Sequence, residues 1–107
     1  MNANSYTQGI KRIMIKYYSW VLKTGQLPNY SLAFFDNLAE SCYGMTDFDD
    51  KIILIDAPRH KFEPVKIATT ILHELAHAST GLVNHNKKWY NEYRRLSRKY
   101  NWRKYKG

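Results

Sequence analysis

Apolar side chains recur every three or four residues over the first quarter of the chain, which is the spacing of one helix face. This spacing predicts a helix over residues 6–24, which Gly25 ends and Pro28 keeps from resuming. Lysines and arginines fall mostly outside the apolar stripe, so we expect the stripe to pack in the core. Its members are Tyr6, Ile10, Ile13, Met14, Tyr17 and Val21.

The following thirty residues lose the helical spacing. Short apolar stretches at 30–35, 41–46 and 51–55 are separated by polar, aspartate-containing segments, and this alternation predicts three strands joined by turns. Residues 52–55 are four consecutive aliphatics, so we expect the third strand to be covered on both faces or to lie beside a helix.

Helical spacing returns at Pro64, a residue suited to the first turn of a helix, and predicts a helix over 64–79. Gly81 can reverse the chain, and a last helix follows over 85–100. The inward stripe of this helix is Trp89, Tyr93, Leu96 and Tyr100. The chain of 107 residues is long enough for one modest core, so we expect an α+β fold in a single domain spanning 1–107.

His73 and His77 are four residues apart on the predicted helix 64–79, so their imidazoles share one face and can bind one zinc ion. Glu74 then lies beside the metal. This is the His-Glu-x-x-His arrangement in which the carboxylate acts as general base for a zinc-bound water. The pattern predicts a catalytic zinc site with Glu74 as the base.

A third ligand is needed, and two residues are candidates. His85 follows the reversal at Gly81, and three imidazoles would leave the fourth zinc position open for water, as in catalytic sites. Glu92, on the last helix, is the alternative, with His85 merely at a helix start. We favour His85, because the reversal explains its position and imidazole suits zinc.

Two other reactive residues are assigned no such role. His60 stands in a charged loop before the helix and is expected to face solvent. Cys42 is the sole cysteine, so it cannot form an internal disulfide, and we expect a small buried residue in a reducing cytoplasm. The sequence starts without a basic-then-apolar signal pattern and has no long apolar run, so neither secretion nor membrane spanning is indicated.

The net charge of +8 is concentrated at one end of the chain. Residues 84–107 hold nine lysines and arginines and one acid, whereas residues 1–83 are balanced. Cations interleaved with aromatic rings suit single-stranded nucleic acid, while a solvated helix face, an anionic membrane or an acidic protein would explain the charge equally well. The candidate nucleic-acid contacts are Lys87, Lys88, Arg94, Arg95, Arg98, Lys99, Trp102, Arg103 and Lys104.

The residues of the metal motif also carry a family resemblance. HELAH at 73–77, followed by NHNKKW at 84–89, resembles the SprT-like zinc metallopeptidase domain, whose members place a third histidine in a His-Gly-x-x-aromatic context. KIILIDAP at 51–58 resembles the strand before the family's active-site helix, so the resemblance covers about 51–96. Asn86 replaces the usual glycine, and asparagine also accepts turn and cap conformations. The cysteine-rich zinc ribbon of many relatives is absent from this sequence.

The resemblance implies a zincin-like fold and a zinc endopeptidase acting on a protein or peptide substrate laid along an edge strand. Strands that are all interior or capped would fit the sequence equally well. His73, His77 and His85 would bind the metal. Relatives include DNA-dependent proteases that degrade proteins crosslinked to DNA, and small phage members without assigned substrates. The leading hypothesis is therefore a cytoplasmic endopeptidase with one zinc per chain. The alternative is a nucleic-acid-binding module in which a structural zinc joins two helices; an inactive relative that binds a protein partner would use the same site.

Overall fold

The computed structural model describes residues 3–38 and 42–107, with the backbone alone for residues 3–5. The fold is α+β, as predicted: three helices and a small mixed sheet of three strands in the described residues. The elements in chain order are α1 (Ala3–Gly25), β1 (Ser31–Phe35), β2 (Gly44–Asp47), β3 (Ile52–Asp56), α2 (Pro64–Thr80) and α3 (Lys87–Tyr100), with short 3-10 turns at Pro58–His60 and Trp102–Lys104.

The sheet has the order β1-β3-β2, so β3 is the central strand. It pairs in parallel with β1 and antiparallel with β2. The expectation that 52–55 lie beside a helix is confirmed: β3 contacts α2, and Ile53 and Ile55 are fully buried. The start of the strand predicted at 41–46 lies outside the described residues, and β2 begins at Gly44.

Packing against α2 places β2 close to the helix. A Cβ atom built on Gly44 would lie 2.8 Å from Thr70 Cγ2 and 3.1 Å from the Leu54 carbonyl oxygen, both closer than real contacts normally allow. Only glycine fits there without displacing the strand. No described strand pairs with the other edge of β2, which therefore remains an open edge beside α2.

The core lies between α1, the sheet, α2 and α3. From α1 it receives Met14, Tyr17 and Val21, all fully buried, as the apolar stripe predicted. Two members of that stripe were placed wrongly, because Tyr6 is 50% exposed and Ile13 is 43% exposed. Ile13 is one residue from Met14 and so points about 100° away around the helix. Tyr6 is on the first turns of α1, three turns before Tyr17.

The residues after α3 fold back onto α1. Trp102 and Tyr105 contact the ring of Tyr17, with centroids 5.3 and 5.6 Å apart, and Tyr105 also lies 5.5 Å from Trp20. The hydroxyl of Tyr17 donates a hydrogen bond to the Tyr100 carbonyl. The aromatic side chains of the tail thus complete the core at the outer face of α1.

His60 is buried, with 3% of its surface exposed, so the prediction that it faces solvent was wrong. The loop before α2 forms a 3-10 turn and then places Lys61 and Phe62 in the left-handed region, with φ of 54° and 55°. This tight path turns the imidazole inward. Its Nδ1 donates to the Asp56 carbonyl at 2.7 Å, and the Thr70 hydroxyl donates to Nε2 at 2.6 Å. Both ring nitrogens are therefore satisfied.

Candidate metal centre

Helix α2 presents His73 and His77 on one face, one turn apart. The helix begins at Pro64, as predicted, and ends where Gly81 adopts the left-handed conformation at φ 71°. The N–H of Gly81 donates to the His77 carbonyl at 2.8 Å, which satisfies a carbonyl of the last turn. The chain then reverses, and the Leu82 carbonyl that follows lies next to the His77 ring.

The loop between α2 and α3 brings in His85. Asn86 is the N-cap of α3. Its side-chain oxygen accepts a hydrogen bond from the Trp89 N–H at 3.0 Å, so this asparagine stabilises the first turn of the helix. The left-handed glycine fixes one end of the loop and the cap fixes the other. His85 is held between them, facing α2.

The three imidazoles converge through their Nε2 atoms. His85 Nε2 lies 3.1 Å from His73 Nε2 and 3.2 Å from His77 Nε2, and the candidate ligand atoms are all within 4.8 Å of one another. Tetrahedral zinc with Zn–N bonds of about 2.0–2.1 Å requires nitrogens about 3.3 Å apart. The three side chains are therefore close enough to bind one metal ion.

Hydrogen bonding alone does not satisfy this cluster. His77 Nδ1 lies 2.7 Å from the Leu82 carbonyl oxygen, which only accepts, so Nδ1 carries the hydrogen and the lone pair of Nε2 faces the cluster. His85 Nε2 has either one hydrogen or one lone pair, yet it faces two ring nitrogens. A cation between them would resolve the surplus of lone pairs, and the Leu82 carbonyl supplies the outer hydrogen bond that metal-bound histidines usually make.

The surroundings of His73 favour its neutral form. Burial, with the neighbouring His77 and His85, lowers the pKa of His73 to about 4. At neutral pH the His73 ring is uncharged, which is the form that binds metals. No described acid other than Glu74 approaches these nitrogens closely enough to form an ion pair with them.

Glu74 lies beside the cluster, as predicted, and is 6% exposed. Its Oε1 accepts from the Thr46 hydroxyl at 2.8 Å, and its Oε2 is 3.8 Å from His73 Nε2. Burial raises the pKa of the Glu74 carboxyl, while the Thr46 hydrogen bond and the proximity of His85 partly oppose the rise. The carboxyl is held by one oxygen and has the other directed toward the imidazoles.

Glu92, the alternative third ligand, is engaged elsewhere. It accepts a hydrogen bond from the Ser79 hydroxyl and two from Arg95, from Nε at 2.6 Å and from Nη2 at 3.1 Å. These bonds lower the pKa of its carboxyl. Within the described residues, the one group of three potential metal ligands is made by the histidines, so His85 and not Glu92 completes the cluster.

Trp89 forms the base of the cluster. Its ring centroid lies 4.7 Å from that of His73, 5.3 Å from that of His77 and 4.6 Å from that of His85, and its ring also stacks on that of Tyr93 at 5.2 Å. The sequence identified Trp89 as an inward residue of α3, and it is 5% exposed. Its contact with all three histidines was not predicted, although the aromatic position of the His-x-x-x-aromatic pattern that starts at His85 is a signal that could have found it.

Thr46 is the second residue that sequence reasoning missed. It lies on β2, 28 residues before Glu74, and its hydroxyl also lies 3.1 Å from the Glu74 backbone oxygen. Threonine is common in strands, so nothing local marks this one. The contact depends on how closely β2 approaches α2, which the sequence does not reveal.

Two clefts flank Glu74 along β2. One of about 360 Å³ lies on the His73 side and is lined by polar or small residues. These are Cys42, Tyr43, Gly44, Thr69 and Thr70. Cys42, expected to be buried, is half-buried, and its thiol donates to the Gly44 carbonyl. The other cleft, of about 220 Å³, lies on the His77 side between β2 and the α2–α3 loop.

The candidate nucleic-acid residues lie on α3 and the tail and are not part of the histidine cluster. Most are exposed: Lys87, Lys88, Arg94, Arg98, Lys99, Arg103 and Lys104. Arg95 is neutralised by Glu92, and Trp102 is partly buried against Tyr17. The structure thus leaves a basic surface but already uses the aromatic rings of the tail in packing against α1.

Comparisons of this chain with models of protein families, with curated proteins and with solved structures found no match. In the part of the chain that the structure describes, no helix is both long enough and apolar enough to cross a membrane.

Proposed function

We propose that this protein is a zinc-dependent endopeptidase of the SprT-like class, with a zincin-like fold. The observation that carries the proposal is the convergence of three Nε2 atoms beside a buried carboxyl group. His73, His77 and His85 would bind zinc, which when bound would supply a Lewis acid that activates water and polarises the scissile carbonyl. Three protein ligands leave a position for that chemistry.

Glu74 is the general base in this proposal. Its Oε2 faces the cluster, where it takes a proton from the attacking water and passes that proton to the leaving amine. The carboxyl holds the proton between the two steps. Thr46 positions the base by holding Oε1 and so restricting rotation of the carboxyl.

The open edge of β2 supports an extended polypeptide as substrate. Thr46 places this strand directly against the proposed base, so a peptide paired with β2 would pass in front of Glu74. The backbone hydrogen bonds of strand addition do not depend on the side chains of the peptide, so any sequence preference must come from clefts beside the strand. The substrate in this proposal is therefore an unfolded or extended segment of a protein.

Glu74→Gln tests the proposal. The variant keeps the size and the hydrogen-bonding capacity of the side chain but loses the base, so we expect cleavage of fluorescein-labelled casein to fall by about 10²–10⁴-fold. Zinc content, measured on the same samples, should remain one ion per chain. Glu63→Gln, on the exposed side chain that pairs with Lys66, is the matched control and should retain activity. Cleavage by Glu74→Gln at the rate of the unchanged protein would remove Glu74 from the mechanism.

A second candidate function is nucleic-acid binding, with zinc in a structural role or with DNA-associated proteins as substrates. The observation that favours it is the exposed basic surface of α3 in a segment that carries the whole net charge. Replacing Arg94, Arg98 and Lys99 by glutamine should weaken binding of a single-stranded oligonucleotide. The salt dependence should also fall by about 0.7 in logarithmic slope for each phosphate that the variant no longer neutralises.

The matched control removes the same charge from α1. Arg12, Lys16 and Lys23 are also exposed, so the triple glutamine variant of these residues lowers the net charge equally. Equal loss of affinity in both variants would indicate a general charge effect and would contradict a binding surface on α3.

A further inference from the structure

The smaller cleft beside Glu74 is surrounded by apolar side chains that have little protein to cover them. Val83 is 77% exposed and Met45 is 43% exposed, while Phe48 is half-buried. They come from three different segments: β2, the turn after it, and the loop between α2 and α3. Single exposed apolar residues are ordinary, but two exposed ones that converge on one cleft with a half-buried third mark a binding surface.

This cleft is continuous with the proposed active site. Its remaining lining residues are Thr46, Glu74 and His77, so a group inside it lies directly beside the reacting bond. Its volume of about 220 Å³ is smaller than the roughly 300–1,000 Å³ of sites for drug-sized ligands. The size suits one amino-acid side chain.

The two clefts differ in chemistry. Glu74 lines both clefts, and each includes one of the histidines. The remaining lining on the His73 side consists of hydroxyl-bearing residues, a thiol and a glycine, whereas on the His77 side it is mainly apolar, with Met45, Phe48 and Val83. The Glu74 carboxyl is already held by Thr46. A charged side chain entering the smaller cleft would lose hydration without gaining a partner of opposite charge, unless it reached Glu74. An apolar side chain would cover Met45 and Val83 and gain the burial of both surfaces.

We propose that this cleft binds a large apolar side chain of the substrate, such as leucine, methionine or phenylalanine, at one position next to the scissile bond. Met45 and Val83 are then specificity-determining residues, and the protein selects extended segments that carry such a residue. This inference rests on the proposed peptidase function and adds its substrate class.

The test uses the full-length, zinc-loaded protein. Cleavage sites in denatured casein are located by mass spectrometry, and quenched fluorescent peptides are then built on one site, with leucine, phenylalanine, serine, aspartate or lysine at each position flanking the bond. We expect one flanking position at which leucine and phenylalanine give kcat/KM values about 10-fold or more above that of serine. No apolar preference at either position would overturn the inference.

Two variants connect the preference to the cleft. Val83→Ser and Met45→Ser should each reduce the leucine-to-serine ratio of kcat/KM by about 3-fold to 10-fold, because each removes apolar surface from the cleft. Val65→Ser is the matched control: Val65 is 57% exposed on α2 but lies outside the cleft, so the ratio should not change. Zinc content of each variant shows that the metal centre is intact.

The outcomes separate this inference from the proposed function. Cleavage that depends on Glu74 but has no apolar preference leaves the peptidase and overturns the specificity cleft. An apolar preference that Val83→Ser and Met45→Ser both retain also overturns it, since the selection then occurs elsewhere. If neither casein nor any peptide is cleaved by the zinc-loaded protein, the proposed function and the inference fail together.

Discussion

The molecule contains two environments of buried histidine, and their difference identifies the candidate metal site. His60 and His77 are buried to nearly the same extent, at 3% and 7% exposed. Each directs Nδ1 to a backbone carbonyl at 2.7 Å. At His60 the second nitrogen accepts from a threonine hydroxyl, whereas at His77 it faces another imidazole. Burial therefore does not distinguish a candidate ligand from a structural histidine, but the partner of the second nitrogen does.

The comparison extends to the groups that surround each ring. His60 is enclosed by Thr70 and by the ring of Tyr43 at 5.0 Å, and its hydrogen bonds are complete. The clustered histidines lie against Trp89, whose ring offers no acceptor for their nitrogens. The protein itself supplies hydrogen-bond partners for both nitrogens of His60. The clustered histidines have nitrogen lone pairs that a cation would satisfy.

The largest expected difference is in zinc affinity. His77→Ala removes one of the three proposed zinc ligands, so we expect the affinity to fall by more than about 100-fold. That exceeds the roughly 10- to 100-fold loss typical of changing a residue that only hydrogen-bonds to a ligand. His60→Ala should leave the affinity within about threefold. Competition with a chromophoric chelator measures both constants. Similar losses in the two variants would contradict the distinction between these histidines.

The next largest effect concerns the carboxyl group beside the cluster. Thr46→Val removes the hydroxyl that holds Glu74 Oε1, and loss of a hydrogen bond to a charged group is worth about 1.5–3 kcal/mol. We therefore expect kcat to fall by about 10-fold to 100-fold, with KM and zinc content little changed. Thr46→Ser restores a hydroxyl and should recover most of the rate. Equal rates for the valine and serine variants would assign Thr46 a packing role only.

A smaller effect should appear in the stability of the His60 site. His60→Ala leaves the Asp56 carbonyl and the Thr70 hydroxyl without their partner, which should lower the free energy of unfolding by about 1–2 kcal/mol. Urea denaturation of the zinc-free protein measures it without contribution from the metal. An unchanged midpoint would show that this hydrogen-bond network does not support the fold.

The smallest effect is in the pH dependence of stability. Burial lowers the pKa of His60 below its usual value near 6.5, so below that pH the unfolded chain binds a proton more readily than the folded one. Stability should therefore fall as the pH drops from about 7 toward 5, by at most about 1.4 kcal/mol per pH unit for this one group. In the zinc-free state, His60→Gln should flatten the curve relative to the unchanged protein. Parallel curves would mean that His60 titrates alike in both states.

Those features of the site that depend on local geometry were predictable from the sequence. A spacing of four places His73 and His77 together on any helix, and the reversal at Gly81 returns the chain toward them. Helical periodicity and strand composition likewise predicted the three helices and the three strands. Each of these inferences uses residues that are close in sequence, where backbone geometry fixes the relation between side chains.

The features that the sequence did not predict depend on contacts between residues that are distant in sequence. His60 was misplaced because a charged loop predicts exposure, while two left-handed residues in a row turn the ring inward. The bond between Thr46 and Glu74 depends on the packing of a strand on a helix 28 residues away. Tyr6 follows the apolar spacing of α1 but lies where the helix extends past the core. Tertiary packing decides each case, and no local pattern encodes it.

The short loop between α2 and α3 has a consequence for how the chain tolerates change. It contains both the Leu82 carbonyl that orients His77 and the third imidazole, His85, with Gly81 and Asn86 fixing its ends. Loops usually accept insertions. One residue added between Val83 and Asn84 would keep all three imidazoles in the sequence but would move His85 away from His73 and His77 on α2. In related chains, the number of residues between the second and third histidines should therefore vary less than the identities of the residues that fill it.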